Sequence, residues 1–217
     1  QPFTGSSAFP DQTGLRMLLA TGYFCNNAEL EPDSRTNQWR LVGDPTEGAL
    51  RALGLKAGLH KGMVRRLAEI EFTSERKRMS VLVETEGHRF LYTKGAADLL
   101  LERSTMIRWA GREVPIGDRE RRRLHKAMEA LARRSLRILA LAYRPMAPDK
   151  DRLTEDDETD LVFLGMVGIK DPVRPGVKEA MNLCRQAGIR TVMITGDFPV
   201  TARSIGEELG LLRPDGL

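Results

Sequence analysis

Apolar residues recur along this chain at two spacings. Leu15, Leu18, Leu19 and Gly22 share one side of a 3.6-residue repeat and predict a helix over 15–23, after a lead-in at 1–13 with no such repeat. A short strand is predicted at 39–42, after a polar turn around Pro32, Asp33 and Ser34. Gly43-Asp44-Pro45-Thr46-Glu47 opens a second helix to about residue 55. Asp44 is placed to cap it, Pro45 falls at the first helical position, and Glu47 falls where a capping-box carboxylate sits. A further helix is predicted around 61–68, ahead of a strand that carries Phe72. Strands at 79–84 and 89–93 alternate about the turn Glu86-Gly87-His88, as in an antiparallel hairpin. A helix over 97–103, a small hairpin at 107–109 and 113–115, a basic helix over 118–134 and a strand at 138–143 follow. The basic helix turns Leu124, Ala127, Met128 and Leu131 inward. Residues 149–158 predict an acidic loop without regular structure.

The pattern changes after Asp160. A continuous apolar strand at 161–169, a helix over 176–187 ended by Gly188, a second apolar strand at 190–195 and a helix over 199–209 alternate as in a parallel α/β sheet. The expected fold is therefore an antiparallel α+β unit flanked by helices, followed by an α/β segment with too few strands to be complete. The boundary falls near 168–172, and no internal repeat is visible.

Composition narrows the function classes. The chain has 217 residues, 41% apolar and 29% charged, enough for one domain with a core and part of another. Its net charge of +4 arises from 34 basic and 30 acidic residues, too even a balance to imply nucleic acid without a localised patch. Cys25 and Cys184 stand far apart, in no metal-like spacing, as expected of buried thiols in a reducing compartment. The longest apolar run, 161–169, is far short of the roughly 20 residues a membrane span requires.

Candidate chemistry centres on Glu71-Phe-Thr-Ser-Glu-Arg-Lys-Arg-Met-Ser80. An aromatic ring at Phe72 beside Arg76, Lys77 and Arg78 suits a purine carrying phosphates, with the ring stacked on the base and the cations toward the anion. The same stretch also reads as a solvated turn between two strands. Glu47 is either a helix-start residue or a carboxylate offered to a base amino group or a nearby lysine. Lys94, next to Gly95, is a surface charge or an ammonium held against a ligand that the glycine lets approach. Arg137 serves a helix terminus or reaches a phosphate. Thr195-Gly196-Asp197 ends an apolar strand before a helix. It is a capped turn, or a phosphoryl site beyond the carboxyl end of a strand. The basic helix (Arg119, Arg121, Arg122, Arg123, Lys126, Arg133, Arg134) lacks interleaved aromatics and reads as a solvated face rather than a nucleic-acid surface.

Taken in order, these pieces resemble the P-type cation-transporting ATPases, the calcium-pump-like branch most closely. The matching motifs are Cys25-Asn26-Asn27, Gly43 to Glu47, Phe72 to Ser80, Lys94-Gly95-Ala96, Leu136 to Ala142, Asp171-Pro172-Val173-Arg174 and Met193 to Asp197. The resemblance covers nearly everything after residue 15. It implies a nucleotide-binding domain over 1–168 and a partial phosphorylation domain over 169–217. The latter would have the haloacid-dehalogenase-like, Rossmann-like fold, with a hinge at 168–175 that includes Asp171 and Arg174. It implies ATP as ligand. Phe72 would stack on adenine, Lys94 and Gly95 would line the pocket, and Glu47 would bond near the base. Arg76, Lys77 and Met79 belong to the Phe72 stretch, and Arg137 would meet the phosphates. Thr195, Gly196 and Asp197 would receive the transferred phosphoryl group.

The resemblance further implies that the catalytic aspartate and most magnesium ligands lie outside this chain, as do the actuator and membrane domains that would be its partners. Asp11-Gln12-Thr13-Gly14 resembles the phosphorylation motif but has no apolar strand before it and Gln12 in place of lysine. Two motifs depart from the family pattern: Ala97-Asp98 replaces Pro-Glu after Lys94-Gly95-Ala96, and Val173 replaces a second proline. The chain is thus expected to be a soluble ATP-binding fragment from the cytoplasmic side of a membrane pump, binding no nucleic acid and turning nothing over alone. The rivals are a haloacid-dehalogenase-like phosphatase and a nucleic-acid module built on helix 119–134. Exposed strand edges in the second segment predict a dimer of the fragment.

Overall fold

Alternation and capping place most of the regular structure where the hydrophobic pattern does. The computed structural model describes residues 12–33, 38–134, 136–170, 173–174, 176–195 and 199–212. In chain order the elements are α1 (Gln12–Phe24), β1 (Glu29–Asp33), β2 (Gln38–Val42), α2 (Pro45–Lys56), β3 (Arg65–Ile70), β4 (Arg78–Thr85), β5 (His88–Gly95) and α3 (Ala97–Glu102). They continue with β6 (Ser104–Trp109), β7 (Arg112–Pro115), α4 (Asp118–Ala132), β8 (Arg137–Met146), β9 (Leu161–Ile169), α5 (Val177–Gln186) and α6 (Pro199–Glu208). Two single 3-10 turns, Lys61–Met63 and Glu155–Asp157, complete the list. By its internal contacts the chain divides into one unit of Gln1–Leu124 with Ile138–Val167 and a second of His125–Arg137 with Gly168–Leu217.

The first unit is built on a seven-stranded sheet in the order β3-β4-β5-β8-β9-β6-β7. Neighbours β3, β4, β5 and β8 are antiparallel, and β6 pairs parallel with β9. The sheet is mixed, which corrects the expectation of an antiparallel sheet followed by a parallel one starting at 161. Leu161, Val162 and Phe163 are all buried because β9 lies inside this sheet, covered on both faces. A continuous apolar run records that burial and not a change of fold.

Alternation sorts the sheet's two faces. Met79, Val81, Val83, Tyr92 and Tyr143 form a core with Tyr23, Phe24 and Cys25 at the end of α1, and with Leu59 after α2. Ser80, Thr93 and Ala142, one position out of phase, are buried on the other face. Arg51 of α2 ties the helical layer together, donating to the Tyr23 carbonyl at 2.9 Å with its guanidinium 4.4 Å from that ring's centre.

Three other expectations are corrected, and one stands in part. The polar turn around Pro32 contains β1, paired with β2 in a separate two-stranded ribbon. The helix expected at 61–68 is a 3-10 turn followed by β3, because Arg65 to Ile70 gains a full ladder against β4. The inner face expected of α4 is half-buried at Leu124, Met128 and Leu131, with Ala127 exposed. The acidic stretch is ordered: Thr154 and Asp157 form a capping box around the Glu155–Asp157 turn.

In the second unit α5 ends where Gly188 takes φ 74°, with Ile189 N–H donating to the Cys184 carbonyl at 2.8 Å. Lys170 pairs with Glu208 at 2.5 Å, and Arg185 donates to the Gly210 carbonyl at 2.6 Å. Residues 190–195, expected as a buried strand, are irregular, and Ile194 is 95% exposed. A strand exists only against a neighbour, and no described strand pairs with this segment.

Candidate functional site

The site begins at the first turn of α2. Asp44 sits in extended backbone at φ −71° and ψ 135°, and its carboxylate accepts from Thr46 N–H at 2.8 Å and Glu47 N–H at 3.2 Å. Pro45 supplies the first helical residue at no cost in backbone donors. With Asp44 satisfying those amides, the Glu47 carboxylate does not turn back to close a capping box. It accepts from the Lys94 ammonium and, at 3.2 Å, from Asn27 N–H. Of the readings open for Glu47, the nearby lysine is the partner observed.

Lys94 stands on β5 opposite Met79 of β4 and Leu141 of β8, and is only 5% exposed. A buried ammonium needs a partner, and Glu47 is it. Cys25 lies close by on the same core face and donates to the Met79 carbonyl at 3.3 Å. Burial pushes its thiol up to about 11, against the pull of the Lys94 charge. Asn26, also buried, clasps the two helices: its amide donates to the carbonyls of Gly22 at 3.1 Å and Glu47 at 2.8 Å. Exposed Asn27 spans to β3, donating to Glu69 at 2.7 Å and accepting from Arg66 at 2.8 Å. The result is a polar rim of Asn27, Arg66 and Glu69 above a half-buried acid–ammonium pair.

Phe72 lies two residues past the end of β3, in a loop rather than a strand, and is 57% exposed. Lys77 is exposed with φ 51°. Met79 is buried in the core. Gly95 is required by the protein itself: a Cβ there would lie 2.7 Å from both Arg78 Cβ and the Lys77 carbonyl oxygen.

Arg76 and Arg78 are engaged elsewhere. Arg78 pairs with Gly95 in the β4–β5 ladder, one residue from the Met79–Lys94 pair, so alternation sets it on the opposite face from Lys94. There it meets Glu158, which is 0% exposed. The Glu158 carboxylate accepts from Arg76 Nη2 at 2.5 Å, Arg78 Nε at 2.5 Å and Ser80 Oγ at 2.6 Å. Ser80 Oγ and Thr93 Oγ1 lie 2.9 Å apart. Burial alone would raise the Glu158 pKa, but these donors outweigh it and hold the group below the ordinary carboxylate value. The single cationic cluster expected from sequence therefore divides, with Arg76 and Arg78 neutralising a buried acid and only Lys77 left outward. Sequence reasoning missed Glu158. The Thr154–Asp157 box spacing was the available sign that its loop is ordered.

The remaining candidates lie in the second unit or beyond the described residues. Arg137 opens β8 and is exposed. The Arg174 carbonyl accepts from Val177 N–H at 3.3 Å, at the start of α5. Thr195 is exposed, and Asp171, Gly196, Asp197 and Asp11 lie outside the described residues. The basic helix spends part of its charge internally: Arg121 donates to the Leu101 carbonyl and Arg123 lies over the Trp109 ring at 4.7 Å. Among the described residues no group of three or more His, Cys, Asp or Glu side chains could hold a metal, and no helix is long and apolar enough to cross a membrane.

Comparison with known proteins finds a family model, P-type ATPase, cytoplasmic domain N, that matches residues 14–176. A calcium-transporting ATPase of Bacillus subtilis is 41% identical over 93% of this chain and 23% of its own length. Calcium-transporting ATPase 1 of Lactococcus lactis is 35% identical over 97% and 24%. Cation-transporting ATPase pma1 of Synechocystis is 38% identical over 91% and 22%. The chain spans about a quarter of the length of these relatives.

Proposed function

We propose, from the premise that this chain belongs to the P-type ATPase cytoplasmic domain N family, that it binds ATP on the Lys94 side of its sheet and serves a cation pump. On the relatives' names, the cargo we assign to the parent is calcium. The observation that carries the reading is the Lys94–Glu47 pair, its ammonium buried and its carboxylate half-buried, held by a capped helix start in the same unit as the exposed Phe72. An ion pair this buried costs desolvation that a surface pair avoids, and its ready-made geometry suits a ligand with both donor and acceptor edges. Adenine is such a ligand, with a face for Phe72 to stack on.

In this reading Phe72 holds the base, Lys94 and Glu47 bond at its edge, and Lys77 meets the phosphates. Met79 and Gly95 support the wall from inside the fold without facing the ligand, and Arg76 works through the loop rather than on the ligand. Arg137, Asp171 and Arg174 belong to the phosphate end and the hinge. Residues 1–168 form the nucleotide domain, and residues 169–217 begin a haloacid-dehalogenase-like phosphorylation domain that supplies Thr195, Gly196 and Asp197. Magnesium would travel with the phosphates. The described residues provide no group of three or more His, Cys, Asp or Glu side chains for it. On the cytoplasmic side of the membrane, the γ-phosphoryl would pass to an aspartate of the parent outside this chain, and that aspartyl phosphate would drive ion transport through membrane helices.

Calorimetric titration of ATP tests this. Saturable binding is expected, weakened about tenfold by Phe72→Ala, the loss of roughly 1.4 kcal/mol of stacking and burial. Lys94→Met should weaken it similarly while remaining folded. Unchanged affinity in both variants overturns the assignment.

A further inference from the structure

The loop Glu71–Lys77, which carries Phe72, is anchored from behind. Arg76 Nη1 donates to the Glu71 carbonyl at 2.6 Å, one residue before the ring. Arg76 N–H donates to Thr73 Oγ1 at 3.1 Å, and Lys77 N–H to the Thr73 carbonyl at 2.7 Å. Arg78 Nη1 donates to the Arg76 carbonyl at 3.1 Å, and Ala96 N–H to the Lys77 carbonyl at 3.0 Å. These bonds hold Lys77 in the left-handed region, an uncommon state for a residue with a side chain. Both guanidiniums converge on one carboxylate, Glu158, from a segment about eighty positions later. Glu155 adds a weaker, exposed contact to each, at 3.4 and 3.3 Å.

We infer that Glu158 is a positioning residue for nucleotide binding, setting the Phe72 loop from the opposite face of the sheet without touching ligand. The inference rests on the reading that Phe72 meets the base. Without the Glu158 charge, two nearly buried guanidiniums lose their main acceptor and must reach water. The same guanidinium holds the Glu71 carbonyl through Nη1, so turning it toward water loosens that bond. The loop then samples other conformations, and ATP must select the competent fraction. The acid's role is geometric: it fixes where a fork-shaped donor stands, and the donor fixes the backbone before the ring.

The test is a double-mutant cycle in the 217-residue chain. ATP is titrated calorimetrically into the wild type, Glu158→Gln, Phe72→Ala and the double variant, with thermal unfolding and amide exchange measured beside each. Glu158→Gln should weaken ATP about tenfold and speed exchange at the Arg76 and Lys77 amides. The double variant should bind no worse than about twofold below the weaker single, because both substitutions act through one loop. A purely structural role lowers the melting temperature and leaves the two losses multiplicative, which overturns the inference. So does wild-type affinity in Glu158→Gln. If Phe72→Ala alone leaves affinity unchanged, the reading beneath falls and takes this inference with it. Should Glu158→Gln fail to fold, Ser80→Ala removes one of the three donors, and a two- to threefold loss with faster exchange is expected. Neither change in that variant would be equally decisive against the proposal.

Discussion

Gly95 separates two explanations that look alike in sequence. Beside a candidate lysine, a glycine suggests room for a ligand. In the folded chain that room is already taken by Arg78 Cβ, the Lys77 carbonyl and Leu100 Cδ1 at 2.7 to 2.8 Å. Gly95→Ala is therefore expected to destabilise the fold by about 1–3 kcal/mol through overpacking, read from urea unfolding. Lost ATP affinity at unchanged stability would show the ligand reading to be the right one. What was legible at this scale was local chemistry: the Asp44 cap and a carboxylate at Glu47 free to meet a lysine follow from residues within one turn. What was not legible was pairing across the chain. Arg76 and Arg78 in sequence are simply cations, because the acid that engages them stands 82 and 80 residues away.

The same division holds for elements. Helices and hairpins closed by local contacts stand where the periodicity puts them, including α1, α2, α3 and the β4–β5 turn. The segments misjudged are those whose state is decided by neighbours. Residues 65–70 carry enough apolar spacing for a helix, yet pair with β4. Residues 190–195 look like a strand, yet no described strand pairs with them. α2 offers the clearest test of a local rule, because its start also sets Glu47. Asp44→Ala should cost about 1 kcal/mol of stability, measured by chemical denaturation, because two first-turn amides lose their acceptor. It should also loosen ATP binding by letting the Glu47 turn fray. Full stability in this variant would mean that packing alone fixes the helix start.

At the scale of the molecule, its buried titratable groups set a pH window. Glu158 and Asp157 are held below their ordinary values by hydrogen bonds that more than offset burial. Their stabilisation is complete above the ordinary carboxylate range near 4.5 and is lost as pH falls through the depressed folded values. Burial raises Cys25 to about 11 and Tyr92 and Tyr143 to about 12. Those contributions are complete below the ordinary values of 9.0 and 10.0 and are lost as pH climbs toward the raised ones. Urea midpoints across pH should therefore trace a plateau with an acid shoulder, and Glu158→Gln should flatten that shoulder. A midpoint that rises on acidification would contradict the assignment. The sheet order carries a consequence of another kind. β8 and β9, the last two strands in the chain, occupy the middle of the sheet, between β3-β4-β5 on one side and β6-β7 on the other. As the ribosome releases the chain, two ribbons are made first and stay unjoined. The keystone arrives only with β9, after every strand of both ribbons has been made, so the sheet cannot close until then.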